Sequence, residues 1–281
     1  MASVTKAWWA VALMTGAAFA TQPAMSAARL PFVSSFENGS FGEWNGGLDA
    51  SMSVNASTAS DGRYSAQSVM TPGSSTDNYK EFVFGDHPRV GGAAVDANNG
   101  LWLTFDTRFD TGFRFATGAV AHKVAIINWE NSSSLRRYQI IINIWTVPGS
   151  AQGEYFVDHL KWNEDRSFNR TMPYVGQNLG EKVKLRYGQW DKLKLYVKNN
   201  TLGRNDGIIR LWVNGVLKAE HTNVALRENV AVNANKLIMS NYVVENTASG
   251  TQRWDNWRLS ETDPDADAAV RPNPPVLNSV Q

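Results

Sequence analysis

The chain has 281 residues, no cysteine, and nearly balanced charge, with 27 Lys+Arg against 26 Asp+Glu for a formal net charge of +1. This length allows one large β-sandwich or two small domains, and the missing cysteines exclude a disulfide scaffold, a thiolate metal site and a cysteine nucleophile. Eleven Trp, eight Tyr and twelve Phe favour strands and bury large areas, while long apolar stripes of helical period are missing. The composition is all-β.

Residues 1–28 read as a processing signal. Lys6 supplies a positive n-region, Ala7 to Ala20 form an apolar run too short to span a bilayer, and small-residue cleavage sites follow at Ala20 or Ala28. No later segment is apolar enough to cross a membrane, so a secreted or periplasmic product is expected. Residues 29–260 read as one domain whose first and last strands pair. Its opening, Phe36-Glu37-Asn38-Gly39, precedes short strand candidates at Ser51–Ala56 and Tyr64–Met70. Asn78 to His87 form a polar and aromatic cluster that fits a strand and loop at the groove rim. The main body carries strand candidates at Leu101–Phe109, Val120–Trp129, Arg137–Trp145, Glu154–Trp162, Lys182–Tyr187, Lys192–Lys198, Gly207–Asn214, Lys236–Val243 and Arg253–Leu259. Leu193/Leu195/Val197 and Ile209/Leu211/Val213 alternate with polar residues, and Asn214-Gly215 is a strong hairpin turn signal. Residues 261–281, acidic and then proline-rich, have no core-forming pattern and are expected to be disordered.

Strand parity points to the chemistry. On Arg137–Trp145, Tyr138, Ile140, Ile142 and Ile144 share a core face, leaving Arg137, Gln139, Asn143 and Trp145 on the other. On the preceding strand, Lys123 shares a face with Ala121, Ala125 and Ile127, while His122 points with Val124 and Ile126 towards the core. On Glu154–Trp162, Phe156, Leu160 and Trp162 read as core, which leaves Tyr155, His159 and Lys161 opposite. Three neighbouring strands thus bring cationic, amide and phenolic groups to one surface. From Leu101 to Glu220 there are seventeen Lys+Arg against eleven Asp+Glu, a difference of +6 that favours an anionic ligand. Lys236, Ser240 and Tyr242 share a parity later in the chain and are further ligand-binding candidates.

The hairpin W…L-x-V…G-x-I-x-L-W-x-N-G from Trp190 to Gly215 resembles that of concanavalin A-like jelly rolls, a fold family of lectins, glycan hydrolases and polysaccharide lyases. The resemblance implies a two-sheet antiparallel jelly-roll β-sandwich with a groove for a polymer. The polar strand faces resemble the grooves of jelly-roll alginate, glucuronan and heparin lyases. By that resemblance Lys123, His159 or an ionised Tyr155 takes a proton alpha to a uronate carboxylate. Arg137, Gln139 and Asn143 neutralise that carboxylate, and Tyr155 protonates the leaving oxygen. Trp145 is placed to stack on a sugar, with Lys161, Lys236 and Tyr242 as further contacts. In related sandwiches an early carboxylate and one on the last strand clamp a structural calcium ion, which makes Glu37 and Asp255 its candidate ligands.

The expected partner is an acidic polysaccharide, with no nucleic acid, no membrane insertion and a monomeric chain. A glycoside hydrolase is disfavoured because the E-x-D-x-x-E string of retaining enzymes on this fold is missing, as is G-x-S-x-G. The rival reading is a non-catalytic carbohydrate-binding protein using the same groove. A third is a structural protein of the envelope or matrix.

Overall fold

The computed structural model describes residues 29–48, 51–72, 78–95, 100–115, 121–131, 136–146, 152–162, 168–170, 176–227, 232–243 and 248–266. The expected signal peptide and all but the start of the expected disordered tail lie outside them. Fourteen strands appear in order: β1 (Phe32–Ser34), β2 (Met52–Asn55), β3 (Ser65–Met70), β4 (Tyr79–Val83), β5 (Leu101–Phe109), β6 (Ala121–Glu130), β7 (Arg136–Thr146), β8 (Gly153–Trp162), β9 (Phe168–Arg170), β10 (Trp190–Lys198), β11 (Gly207–Val213), β12 (Val216–Val224), β13 (Ala234–Ser240) and β14 (Gly250–Ser260). They form two antiparallel sheets. One has the order β12-β11-β10-β5-β14-β3-β2, with β1 also paired to β14, and the other β4-β13-β6-β7-β8-β9. The fold is the all-β sandwich expected from the sequence.

Alternation decides which face is covered. Leu193, Leu195 and Val197 of β10 and Ile209, Leu211 and Val213 of β11 all enter the core between the sheets. Tyr138, Ile140, Ile142 and Ile144 of β7 meet them from the other sheet; each such aliphatic side chain contributes about 1.5–3 kcal/mol by burial. The β11–β12 hairpin turns on Asn214 (φ 52°) and Gly215 (φ 80°) with Val213 opposite Val216. Both central residues of this turn type need positive φ, which Asn and Gly accept at low cost. With no disulfide, aromatic packing supplies much of the interior: Trp257 stacks on Phe105 at 4.3 Å and meets Trp44 edge-on at 5.3 Å.

Three expectations change. Lys182–Tyr187 is not a strand; its backbone meets β8 at an isolated bridge from Lys184 to Glu154 and the flanking bonds Tyr155 N–H to Val183 O and Leu185 N–H to Gly153 O. On β6 the register shifts between Lys123 and Ala125, where Val124 is the extra residue. Such a bulge reverses parity. Lys123 therefore stays on the outer face and His122 on the core face, but Ala125 and Ile127 turn inward and Ile126 outward. On β8 the assignment is inverted. His159 pairs with Ile140, Val157 with Ile142 and Tyr155 with Ile144, all residues on the core face of β7. Tyr155, Val157 and His159 hence lie beneath the packed layer, and Phe156, Asp158 and Leu160 lie outside it. The outer face of this sheet also has an apolar floor, made by Ile126, Ile141 and Leu160 with Trp162 and Ile238 packed against it. Hydrophobicity alone therefore fitted both faces of β8.

Candidate active site

The outer face of the six-stranded sheet carries a cleft of about 370 Å3 bordered by β4, β13, β6, β7 and β8. Five residues expected from the sequence line it: Lys123, Gln139, Lys236, Ser240 and Tyr242. The bulge after Lys123 projects that side chain outward at one end, where Nζ lies 4.4 Å from the centre of the Tyr242 ring. Lys123 N–H also bonds Tyr242 O at 2.8 Å, which fixes the two chains in register. Asn143 sits directly across the β6–β7 ladder from Lys123 and is buried on the same face. Ser240, opposite Tyr79, completes this end of the cleft.

The other end is organised by a carboxylate that parity did not reveal. Glu130 is buried, receives Lys236 Nζ at 2.8 Å and Asn128 Nδ2 at 3.1 Å, and lies 3.1 Å from His87 Nε2. Asn128 Oδ1 in turn accepts from Gln139 Nε2 at 2.9 Å. Arg89 N–H donates to His87 Nδ1 at 3.2 Å, so the proton facing Glu130 is on Nε2. Burial pushes the Glu130 carboxyl up, but the His87 hydrogen bond, the Lys236 charge and the Asn128 amide outweigh it and hold the group below its usual range. Glu81 joins the same group through an ion pair with Arg89 and through Lys236 Nζ at 3.5 Å. The two carboxylates thus offset Lys236 and Arg89. The remaining cations of the cleft, Lys123 and Arg136, rest on aromatic rings, with Arg136 4.3 Å from the Trp162 ring centre.

Several sequence-based assignments need correction. Arg136, rather than Arg137, lines the cleft, because the β6–β7 register slips between Trp129 and Glu130 and sets Arg136 opposite Glu130. Tyr155 is fully buried and donates its hydroxyl to Asp191 Oδ2 at 2.9 Å; burial, with the Asp191 charge, raises the phenol well above its usual range. His159 is buried beside Tyr138, and desolvation lowers the ring to about 4. Lys161 sits opposite Tyr138 on the core-facing parity and does not line the cleft. Tyr155, His159 and Lys161 therefore do not join Lys123. His122, read as a core residue, is one: it bonds Gln252 Oε1 at 2.5 Å among three Phe rings, and desolvation lowers it to about 4. Trp145 is on the outer face but borders a separate cavity at the start of β8.

Tyr79 and Glu81, from the cluster expected at the groove rim, line the cleft, as do Asn128, Glu130, Arg136 and Trp162, which were missed. The alternation Asn128-x-Glu130 was legible once the bulge is known, as was Tyr79-x-Glu81 in the polar cluster before His87.

Glu37 and Asp255 both bind the loop from Ser60 to Tyr64. Glu37 Oε1 accepts from Arg63 and Tyr64 N–H at 3.0 and 2.9 Å. Asp255 accepts from Ser60 N–H at 2.8 Å and lies opposite Asp106 across the β14–β5 ladder. Burial raises the Asp255 carboxyl to about 6, and the Asp106 charge adds to this. Asp106 Oδ1 is buried and has no hydrogen-bond partner. Among the described residues no three His, Asp or Glu groups converge to hold a metal.

The comparisons agree with this architecture. The model of the polysaccharide lyase family matches residues 36–237. The structure is similar to an endo-β-1,4-glucuronan lyase from the fungus Trichoderma reesei, with TM-score 0.55, 14% identity, and coverage of 82% of this chain and 95% of the other. It is also similar to an alginate lyase from Chlorella virus (TM-score 0.50, 14% identity, 79% and 94% covered) and to an alginate lyase variant bound to an alginate trisaccharide (TM-score 0.51, 12% identity, 78% and 88% covered). No curated protein matches the sequence. At these identities the structural likeness speaks for the sandwich, and the family match, covering more than half of the chain, establishes membership: this protein belongs to the polysaccharide lyase family.

Proposed function

We propose that the protein is an exported lyase that cleaves a uronic-acid-containing polysaccharide by β-elimination in the cleft of the six-stranded sheet. The observation that carries the proposal is the Lys123–Tyr242 pair, 4.4 Å apart, with Asn143 directly opposite Lys123. A proton alpha to an ionised carboxylate is weakly acidic until that carboxylate is neutralised. Asn143, across the ladder from Lys123, supplies the amide donor for this, and Gln139 and Arg136 serve sugars further along the cleft. Lys123, in its neutral form, takes the C5 proton. Electrons move into the C4–C5 bond and the C4–O4 bond breaks, while Tyr242 gives its proton to the leaving oxygen. Tyr242 thus replaces the buried Tyr155 as the phenolic acid. The acidic substrate draws support from the glucuronan and alginate lyases among the structural neighbours, and Arg136 in the cleft lining suits it.

The test is ultraviolet absorbance of the unsaturated uronate product with glucuronan, alginate, pectic and heparin-type polymers. Absorbance should rise on at least one polymer and vanish with Lys123→Ala and Tyr242→Phe. Binding without any absorbance rise would replace this reading by the non-catalytic one. A calcium ion held by Asp106 and Asp255 is a second part of the proposal, supported by the unpartnered Asp106 Oδ1; its role is structural, at a distance from the elimination.

A further inference from the structure

Building on that reading, we propose that the cavity at the start of β8 is a distal sugar subsite of the same polymer, with Trp145 and Phe156 as its stacking floor. The ladder registers define a line across the strands. Lys123 of β6 faces Asn143 of β7, and Asn143 faces Phe156 of β8. All three lie on the outer face. Neighbouring strands are about 4.8 Å apart, so Phe156 sits about 10 Å from Lys123. A 1,4-linked chain laid across the strands advances by about one strand spacing per sugar, which brings the sugar two residues from the scissile bond over Phe156.

The cavity there is of about 390 Å3, within the range of small-ligand sites, and more apolar than the catalytic cleft. Trp145 and Phe156 border it with ring centres 6.2 Å apart and planes inclined by 37°, a shallow aromatic trough. The Gly176 backbone closes one side so tightly that a Cβ there would come within 2.9 Å of the Phe156 ring. A side chain at 176 would intrude on the trough. At the rim, Lys182 is 63% exposed and reaches Glu154 at 3.5 Å, so its ammonium is open to a uronate carboxylate on the side away from Glu154. An aromatic floor with one cation at its edge suits a pyranose ring bearing a carboxylate. The structure therefore points to an enzyme that gains from long chains. The extra binding is remote from the reacting atoms, and such binding is realised as a higher kcat/KM on polymers than on the shortest cleavable oligomer.

The experiment compares kcat/KM across a ladder of oligouronates prepared from the polymer the wild-type protein cleaves. In the wild type, kcat/KM should step up when the oligomer becomes long enough to place a sugar two residues from the cut on the β8 side. Trp145→Ala and Phe156→Ala should each reduce the ratio of long-chain to short-chain kcat/KM by about tenfold, as expected for one stacking contact. Trp145→Phe should restore part of that ratio. The ratio is insensitive to partial loss of folded enzyme, since unfolding scales both substrates equally. An unchanged ratio in both alanine variants overturns the subsite while leaving the lyase reading intact. If the wild type binds oligouronates but cleaves none, the lyase reading fails, and the same ratio taken from dissociation constants decides the subsite. A wild type that neither cleaves nor binds overturns both.

Discussion

Tyr155→Phe separates a phenol in the core from one in the active site. The substitution keeps the ring and so leaves no cavity; it removes only the hydroxyl, which donates to Asp191 Oδ2 at 2.9 Å. Asp191 is 2% exposed and keeps bonds from Arg186 Nε at 2.7 Å and Asn214 Nδ2 at 2.8 Å. A hydrogen bond to a charged acceptor is worth about 1.5–3 kcal/mol, and the two surviving donors place this loss towards the lower end, at about 2 kcal/mol. For a domain of this size that is a fall in Tm of about 4–8 °C. Because the hydroxyl is beneath the packed layer, kcat on the cleaved polymer should change by less than about twofold, well under the 10²-fold or more that marks a general acid. Calorimetry and the absorbance assay read the two quantities on the same preparation. Loss of activity with an unchanged Tm would show the hydroxyl in contact with substrate, and the inverted parity of β8 would be refuted.

Lys123→Ala should lower kcat by about 10²–10⁴-fold with little effect on Tm, measured by the same pair of assays. Glu130→Gln keeps the shape of a buried group but removes the charge that Lys236 and His87 answer; a fall of about 3 kcal/mol in denaturant stability is expected, together with a raised KM as Asn128 and Gln139 lose their anchor. His122 and His159 each titrate near 4 in the folded protein against 6.5 as free side chains. The unfolded chain therefore binds more protons between those values, so these two groups make stability fall as pH drops from about 6.5 to 4, by up to about 3 kcal/mol each. Replacing either with an apolar residue of similar size should flatten that part of the pH–stability curve. Chelation with EDTA should lower Tm, calcium should restore it, and Asp255→Asn should abolish the difference; an EDTA-insensitive Tm in the wild type would exclude the calcium proposal.

The sandwich was legible because β7, β10 and β11 alternate cleanly and Asn214-Gly215 marks a turn that few other dipeptides can make. The face of Lys123 was readable for the same reason. Beyond it, one extra residue at Val124 reversed every later position on β6, and nothing in a run of small and branched apolar residues marks where a bulge falls. β8 failed for a different cause. Its Tyr, His and Lys alternate with Phe, Leu and Trp, and polarity placed the first set outside; yet Tyr155 and His159 find partners in the core, while Leu160 and Trp162 belong to an apolar floor in the cleft. The Glu130 network lay beyond reach because it joins His87, Asn128, Gln139 and Lys236 from four separate stretches of chain. Only the register of β13, β6 and β7, with the loop after β4, brings them together.

The short β1 runs antiparallel to β14, with Phe32 beside Leu259, so the first and last strands lie next to each other in the sheet that does not bear the cleft. A tag, tether or fused module attached at either end should leave the polymer's path clear. The same adjacency makes this protein a natural candidate for circular permutation, with a short linker bridging the old ends and new ones opened in the exposed 201–206 turn.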